Sequence, residues 1–180
     1  MKTEHKFAIT LKTMMEEKPL DEITVLSICK KCRVNRQTFY YHFHDIYDLL
    51  TLVYLDEEIT GIDNSSSFKE MVTCIFKYYE KNSKFVDATL LSSHKELLQD
   101  FLYNNCYLAI WRIVGDCESS KSISNVDKKN ITTFFASAFS NSSMYYLASH
   151  KRKTLDGLLK SVLFIDQPDL VKIMQNIAKG

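Results

Sequence analysis

An all-α fold is what this sequence predicts, on three observations. Only four Gly and two Pro occur in 180 residues, too few for the turn that a β-sheet protein needs at each hairpin. Apolar residues recur at three- and four-residue spacing along most of the chain. Capping residues and the two prolines punctuate those runs where helices should begin and end. With 46% apolar residues, the chain can bury a core for one extended helical domain or for a small headpiece on a larger body.

The elements follow in order. Phe7, Leu11, Met14 and Met15 share one helical face over residues 3–18, and Pro19 stops the run. Thr24 caps a short helix whose inward residues are Val25, Ile28, Cys29 and Cys32. Asn35 caps a third helix from 36 to about 43, and Asp45 a fourth that runs through Leu49, Leu50, Leu52, Val53 and Leu55. Two short helices across a tight turn, braced by longer ones, form a helix-turn-helix. The segment 61–67, with Gly61, Asn64 and three serines, reads as a linker. Ser67 with Glu70 and Ser93 with Glu96 match the capping box and start helices over 68–85 and 94–116. A Ser-rich loop over 118–125 precedes helices over 126–150 and 154–165, and Pro168 opens the last one. The expected division is 1–45 as a helix-turn-helix domain, 46–66 as a connecting helix with linker, and 67–180 as a helical body.

A net charge of +1 conceals segregation. Between Thr24 and His44 the charged residues are Lys30, Lys31, Arg33 and Arg36, with no acid. Between Asp45 and Asp63 stand Asp45, Asp48, Asp56, Glu57, Glu58 and Asp63, with no Lys or Arg. A polyanion would be held by the first stretch and repelled by the second. The first dozen residues mix charges with single apolar side chains, unlike a signal peptide, and no apolar run approaches the roughly 18 residues of a membrane span. The expectation is a soluble, cytoplasmic chain without a membrane partner. Five cysteines at irregular positions fit reduced thiols rather than a disulfide framework.

On the third helix, Phe39 and Phe43 lie four residues apart and face the core, which leaves Arg36, Gln37, Thr38, Tyr40 and Tyr41 outside. A recognition helix in a major groove offers its first turn to base edges. Arg pairs bidentately with guanine and Gln with adenine, so Arg36 and Gln37 are the expected base readers.

The string Ile23-Thr24-Val25, then Val34, then Thr38-Phe39-Tyr40 and His42-Phe43 resembles the tetracycline-repressor (TetR) family of transcription regulators. That family's pattern is isoleucine-threonine-valine, a glycine-valine-serine turn, and threonine-phenylalanine-tyrosine-x-histidine-phenylalanine. Arg36-Gln37-Thr38-Phe39-Tyr40 is also similar to the subgroup of dihydroxyacetone-kinase regulators. The resemblance implies an N-terminal DNA-binding headpiece and a C-terminal bundle for dimerisation and effector binding. It implies that Thr24, Thr38, Tyr40 and His42 touch phosphate, positioning rather than specifying. With Asn35 at the cap and exposed Tyr41, these residues and the two base readers make the expected DNA-binding set. Two positions depart from the pattern. Arg33 stands where the family has its turn glycine, which adds a cation and strains the backbone if that position needs positive φ. Ile46 replaces a lysine that starts the fourth helix, so one phosphate contact is missing.

Cys29 and Cys32, with His42 and His44 nearby, suggest a metal or redox site, but the cysteines fall where the family has small buried alanines, and packing is the reading adopted. No metal and no cofactor are expected. In the body, Phe76, Tyr79, Tyr103, Tyr107 and Trp111 are candidates to line an effector cavity, a description that ordinary core also meets. Arg112, on an otherwise apolar helix, must snorkel, pair with an acid or hold an anionic effector. Small residues at helical spacing after Asn130 permit close helix approach. The family pairs its last two long helices with those of a second copy, which implies an interface of Phe134, Ala138, Ser142, Tyr145, Leu155, Leu159 and Val162. The same stripe also reads as intramolecular core.

These readings converge on a homodimeric regulator binding a pseudo-palindromic site on double-stranded DNA, by family default a repressor released by a small effector. The alternative is a co-activator or interaction module whose body binds a partner protein. No phosphate loop, nucleophile elbow or paired metal-ligand motif is present in the sequence, so an enzyme is not expected.

Overall fold

The computed structural model describes residues 3–149, 152–163 and 167–179, and every regular element among them is helical. The α-helices are α1 (Thr3–Met15), α2 (Val25–Cys32), α3 (Arg36–His42), α4 (Ile46–Asp56), α5 (Phe68–Lys81), α6 (Ser83–Leu90), α7 (Lys95–Asp116), α8 (Asn125–Ser149), α9 (Leu155–Val162) and α10 (Gln167–Ile177). Short 3-10 turns occupy Leu20–Glu22, Ile62–Asn64 and Glu118–Ser122. The all-α class expected from the sequence is what the chain adopts. The expected helix ends at His150 and Ile165 lie outside the described residues.

One expected helix is two. The apolar periodicity over 68–85 predicts a single helix, yet α5 ends at Lys81 and α6 starts at Ser83, with Asn82 between them at φ −118° and ψ 23°. α6 runs on to Leu90 and buries Phe85, Val86 and Thr89. At the start of α5 the Ser67 hydroxyl accepts from the Glu70 N–H as a cap should, while Glu70 reaches back one residue further, accepting from Ser66 N–H and Oγ.

The chain forms two compact units, Met1–Glu58 with Asn82–Phe101, and Ile59–Lys81 with Leu102–Gly180. The first unit therefore takes in α6 and the start of α7, residues that the sequence reading assigns to the body. Its centre is a cluster of rings: Phe7 meets Phe39 and Phe43 edge-on at 5.4 and 5.9 Å. All three are buried, so α1 and α3 are fastened through their apolar faces. α4 packs on α1 beside them, and α6 packs on α1 as well. Lys12 of α1 carries its ammonium to Glu57 and over the Phe85 ring, linking α1, the end of α4 and α6.

The second unit is organised by α5, α8 and α9. Phe68 of α5 lies 5.4 and 4.8 Å from the Phe135 and Phe139 rings of α8. Gly61 enters this unit at φ 83°, a left-handed angle that favours Gly.

Candidate nucleic-acid interface

The segment 24–45 is built by local hydrogen bonds at each junction. Thr24 Oγ1 accepts from Ser27 N–H at 3.1 Å while Ser27 Oγ accepts from Thr24 N–H at 3.0 Å, a reciprocal cap that starts α2. α2 ends in a Schellman arrangement: Val34 N–H donates to Cys29 O at 3.0 Å and Arg33 N–H to Lys30 O at 3.2 Å. That motif places its capping residue in the left-handed region, and Arg33 occupies it at φ 55° and ψ 45°. Among the described residues, Arg33 is the non-Gly residue with positive φ. The strain anticipated from its replacement of a turn glycine is therefore present.

Asn35 then starts α3. Its Oδ1 accepts from both Thr38 N–H at 2.8 Å and Thr38 Oγ1 at 2.9 Å, so these two side chains hold each other. Asp45 repeats the device for α4, accepting from Asp48 N–H at 2.8 Å. The short α3 is thus clamped at its start by a cap and along its inner face by Phe39 and Phe43.

Its outer face carries the expected readers. Arg36 and Gln37 are exposed, and Tyr41 is 85% exposed, with its ring edge-on to His42. The Arg36 guanidinium donates to the Tyr40 hydroxyl at 3.4 Å and lies 5.8 Å from the Tyr40 ring centre. That hydrogen bond, with Tyr40's charge interaction, raises the Arg36 pKa further above its ordinary value. His42 Nδ1 lies 3.2 Å from Glu4 Oε1 of α1, leaving Nε2 as the ring nitrogen not facing that carboxylate. Glu4 is absent from the expected set, because a contact across 38 positions leaves no local trace.

Lys31 pairs with Glu17 at 3.3 Å. Among the described residues no carboxylate pairs with Lys30, Arg33 or Arg36, so those charges stay available. Leu26, on the first turn of α2, is 63% exposed and also missed by periodicity, which can mark an inward face but gives an outward leucine no purpose. Cys29 and Cys32 are buried free thiols. Burial, with some help from Cys32, raises the Cys29 pKa against a lowering by Arg36. Cys32 donates to Thr10 Oγ1 at 3.2 Å. Among the described residues no His, Cys, Asp and Glu side chains gather as a metal site.

In the body, the ring contacts join Phe76 with Tyr79 at 6.0 Å, and Tyr103 with Tyr107 and Tyr107 with Trp111 at 6.1 and 6.4 Å. Phe76 and Tyr79 are buried, and Lys153 Nζ stands 5.4 Å from the Tyr79 ring. The α7 rings run along a helix face that is open at Trp111 (41% exposed) and Leu108. Arg112 turns away from this ladder and donates to the carbonyls of Ile62 and Ser65 at 3.2 and 3.1 Å, so two backbone acceptors, rather than an acid, take up its guanidinium.

On α8, Phe134 (64% exposed) and Tyr145 (73%) project outward, with Ala138 and Ser142 half-buried between them. Leu155 and Leu159 of α9 are half-buried, and Val162 (3%) is enclosed within its own unit. Among the described residues no helix is long and apolar enough to cross a membrane.

Residues 66–162 match a TetR-type family described as "Transcriptional regulator C-terminal region". Among solved structures the chain is similar to the dihydroxyacetone kinase operon activator DhaS, with a TM-score of 0.62 and 18% identity over 98% of this chain and 96% of that one. At that identity the likeness speaks for the fold. No curated protein sequence matches the chain.

Proposed function

This chain belongs to the TetR-type transcriptional regulators, which are not enzymes, and we propose that it binds a pseudo-palindromic operator as a homodimer through α2, its turn and α3. The observation that carries the reading is α3 itself: a helix fixed by the Asn35 cap and by Phe39 and Phe43, with Arg36, Gln37 and Tyr41 on its free side beside unpaired cations. Arg36 and Gln37 read base edges, guanine and adenine respectively. Thr24, Thr38 and His42 hold the phosphates and fix the register, with Asn35 and Tyr41 on the same surface. Two copies of α3, about 34 Å apart, enter successive major grooves.

The dimer forms through the outer face of α8 with α9. Phe134, Ala138, Asn141, Tyr145 and Ala148 follow one another at intervals of four and three residues, the spacing of a seam between paired helices. Sedimentation at micromolar concentration tests this reading. A stable monomer refutes it, and a dimer that Tyr145→Glu converts to monomer supports it.

Regulation is repression relieved by an effector that favours a conformer with the wrong spacing between recognition helices, a coupling of about 1–3 kcal/mol. The open aromatic face of α7 favours a second reading, in which the body meets a partner protein and the outcome is activation. Selection of bound sequences from random duplexes, followed by anisotropy titrations at two salt concentrations, decides on DNA binding. Affinity indifferent to salt, or sequence preference intact in Arg36→Ala, overturns the proposal.

A further inference from the structure

Arg36 and Gln37 stand side by side at the start of α3, yet the structure treats them differently. Gln37 is exposed, and no described side chain holds it. Arg36 is held by a residue one turn on. Its Nη2 donates to the Tyr40 hydroxyl at 3.4 Å, and its guanidinium carbon lies 5.8 Å from the Tyr40 ring centre. Tyr40 is in turn held edge-on by Phe39 at 5.6 Å, and Phe39 is fully buried against Phe7. A chain of contacts therefore runs from the headpiece core through Phe39 and Tyr40 to the guanidinium.

An arginine on a free surface samples many rotamers, and fixing it on binding costs conformational entropy. Bidentate pairing with guanine requires the planar fork in the plane of the base, so a side chain held beforehand loses less on docking. Tyr40 supplies both a hydroxyl acceptor and a ring face, and its position four residues on puts it on the same side of the helix. Resting on the DNA-binding reading above, we propose that Tyr40 is a positioning residue for base readout: it orients the Arg36 guanidinium, so that discrimination for guanine depends on the tyrosine hydroxyl. This departs from a plain phosphate-contact role, in which the hydroxyl would serve every sequence alike. It also implies two modes along one helix, a pre-set reader at Arg36 and an adaptable one at Gln37.

The test measures relative affinities for the selected operator and for duplexes changed at one base pair each, with wild type, Tyr40→Phe, Arg36→Ala and the double variant. Phe keeps the ring and its packing on Phe39, and circular dichroism checks that each variant folds. The expected result is that Tyr40→Phe lowers discrimination at the guanine lost in Arg36→Ala by about fivefold, leaves discrimination at other positions within about twofold, and adds nothing in the Arg36→Ala background. An equal loss on all duplexes would identify Tyr40 as a phosphate contact and overturn the proposal, as would no change at all. A wild-type chain that selects no sequence defeats the DNA-binding reading itself. Sequence-specific binding with additive Tyr40 and Arg36 effects defeats the positioning role alone.

Discussion

The Tyr54 hydroxyl of α4 donates to Thr89 Oγ1 of α6 at 2.8 Å, with both side chains buried, and the Thr89 hydroxyl in turn donates to Phe85 O at 3.1 Å. This relay joins the last turns of α4 to α6 within the first unit. Burial pushes the Tyr54 pKa well up, against a smaller lowering by the Thr89 hydrogen bond, so the phenol stays a donor.

The relay is asymmetric, and the two deletions should differ. Tyr54→Phe leaves Thr89 with its Phe85 acceptor and should cost about 0.5–1.5 kcal/mol. Thr89→Val leaves a buried phenol without an acceptor and should cost about 1–3 kcal/mol. Urea midpoints at constant slope measure both. A larger loss for Tyr54→Phe would contradict the relay.

Arg33 at φ 55° invites the opposite sign. A left-handed angle costs an L-residue about 1–2 kcal/mol, and Gly returns part of that gain as backbone entropy in the unfolded chain. Arg33→Gly should therefore raise stability by up to about 1 kcal/mol, whereas Arg33→Ala, which keeps the Cβ, should not. Thermal melts of the two variants decide the matter, and equal melting temperatures would show that the strain lies elsewhere.

Gly157 in α9 predicts a loss where helix propensity alone predicts a gain. A Cβ there would overlap the Tyr146 hydroxyl, which accepts from Thr154 N–H at 3.0 Å and donates to Thr154 O at 3.1 Å. Gly157→Ala gains about 1 kcal/mol of propensity but must displace that doubly bonded hydroxyl, for a net cost of about 1–2 kcal/mol. In a Tyr146→Phe background the penalty should shrink, a coupling that a double-mutant cycle measures.

Alkaline pH should weaken the fold through Cys106. Complete burial pushes its thiol from an ordinary 9.0 up to about 12. Above pH 9 the unfolded chain loses that proton and the folded chain keeps it, so this contribution to stability is intact below pH 9 and falls as pH rises towards 12. The expected slope is about 1.4 kcal/mol per pH step from this group. Cys106→Ala should start less stable because of its cavity, yet lose less between pH 8 and 10.5. Parallel pH profiles for the two proteins would rule Cys106 out.

The headpiece was legible because its signals are local. Thr24, Asn35 and Asp45 cap helices by reaching three residues along the chain, and the spacing of Phe39 and Phe43 marks an inner face whatever lies opposite. The break at Asn82 was hidden, since neither Gly nor Pro stands there and the apolar period of α5 continues into Phe85. What holds α6 in the first unit is its packing on α1, the Thr89 bond to Tyr54 and the contact of Lys12 with Phe85, all made across long stretches of chain. No local pattern encodes such partners.

By itself, then, the order of residues determined a helical chain, the capped α2–turn–α3 unit and the identity of its outward side chains, because capping and periodicity act within a turn or two of the backbone. The tertiary structure alone decided which of those side chains are already held. Arg36 leans on Tyr40, His42 faces Glu4, Arg112 turns to the carbonyls of Ile62 and Ser65, and Val162 is enclosed, since partners distant in sequence, or the choice between open rotamers, depend on where the folded backbone brings each group.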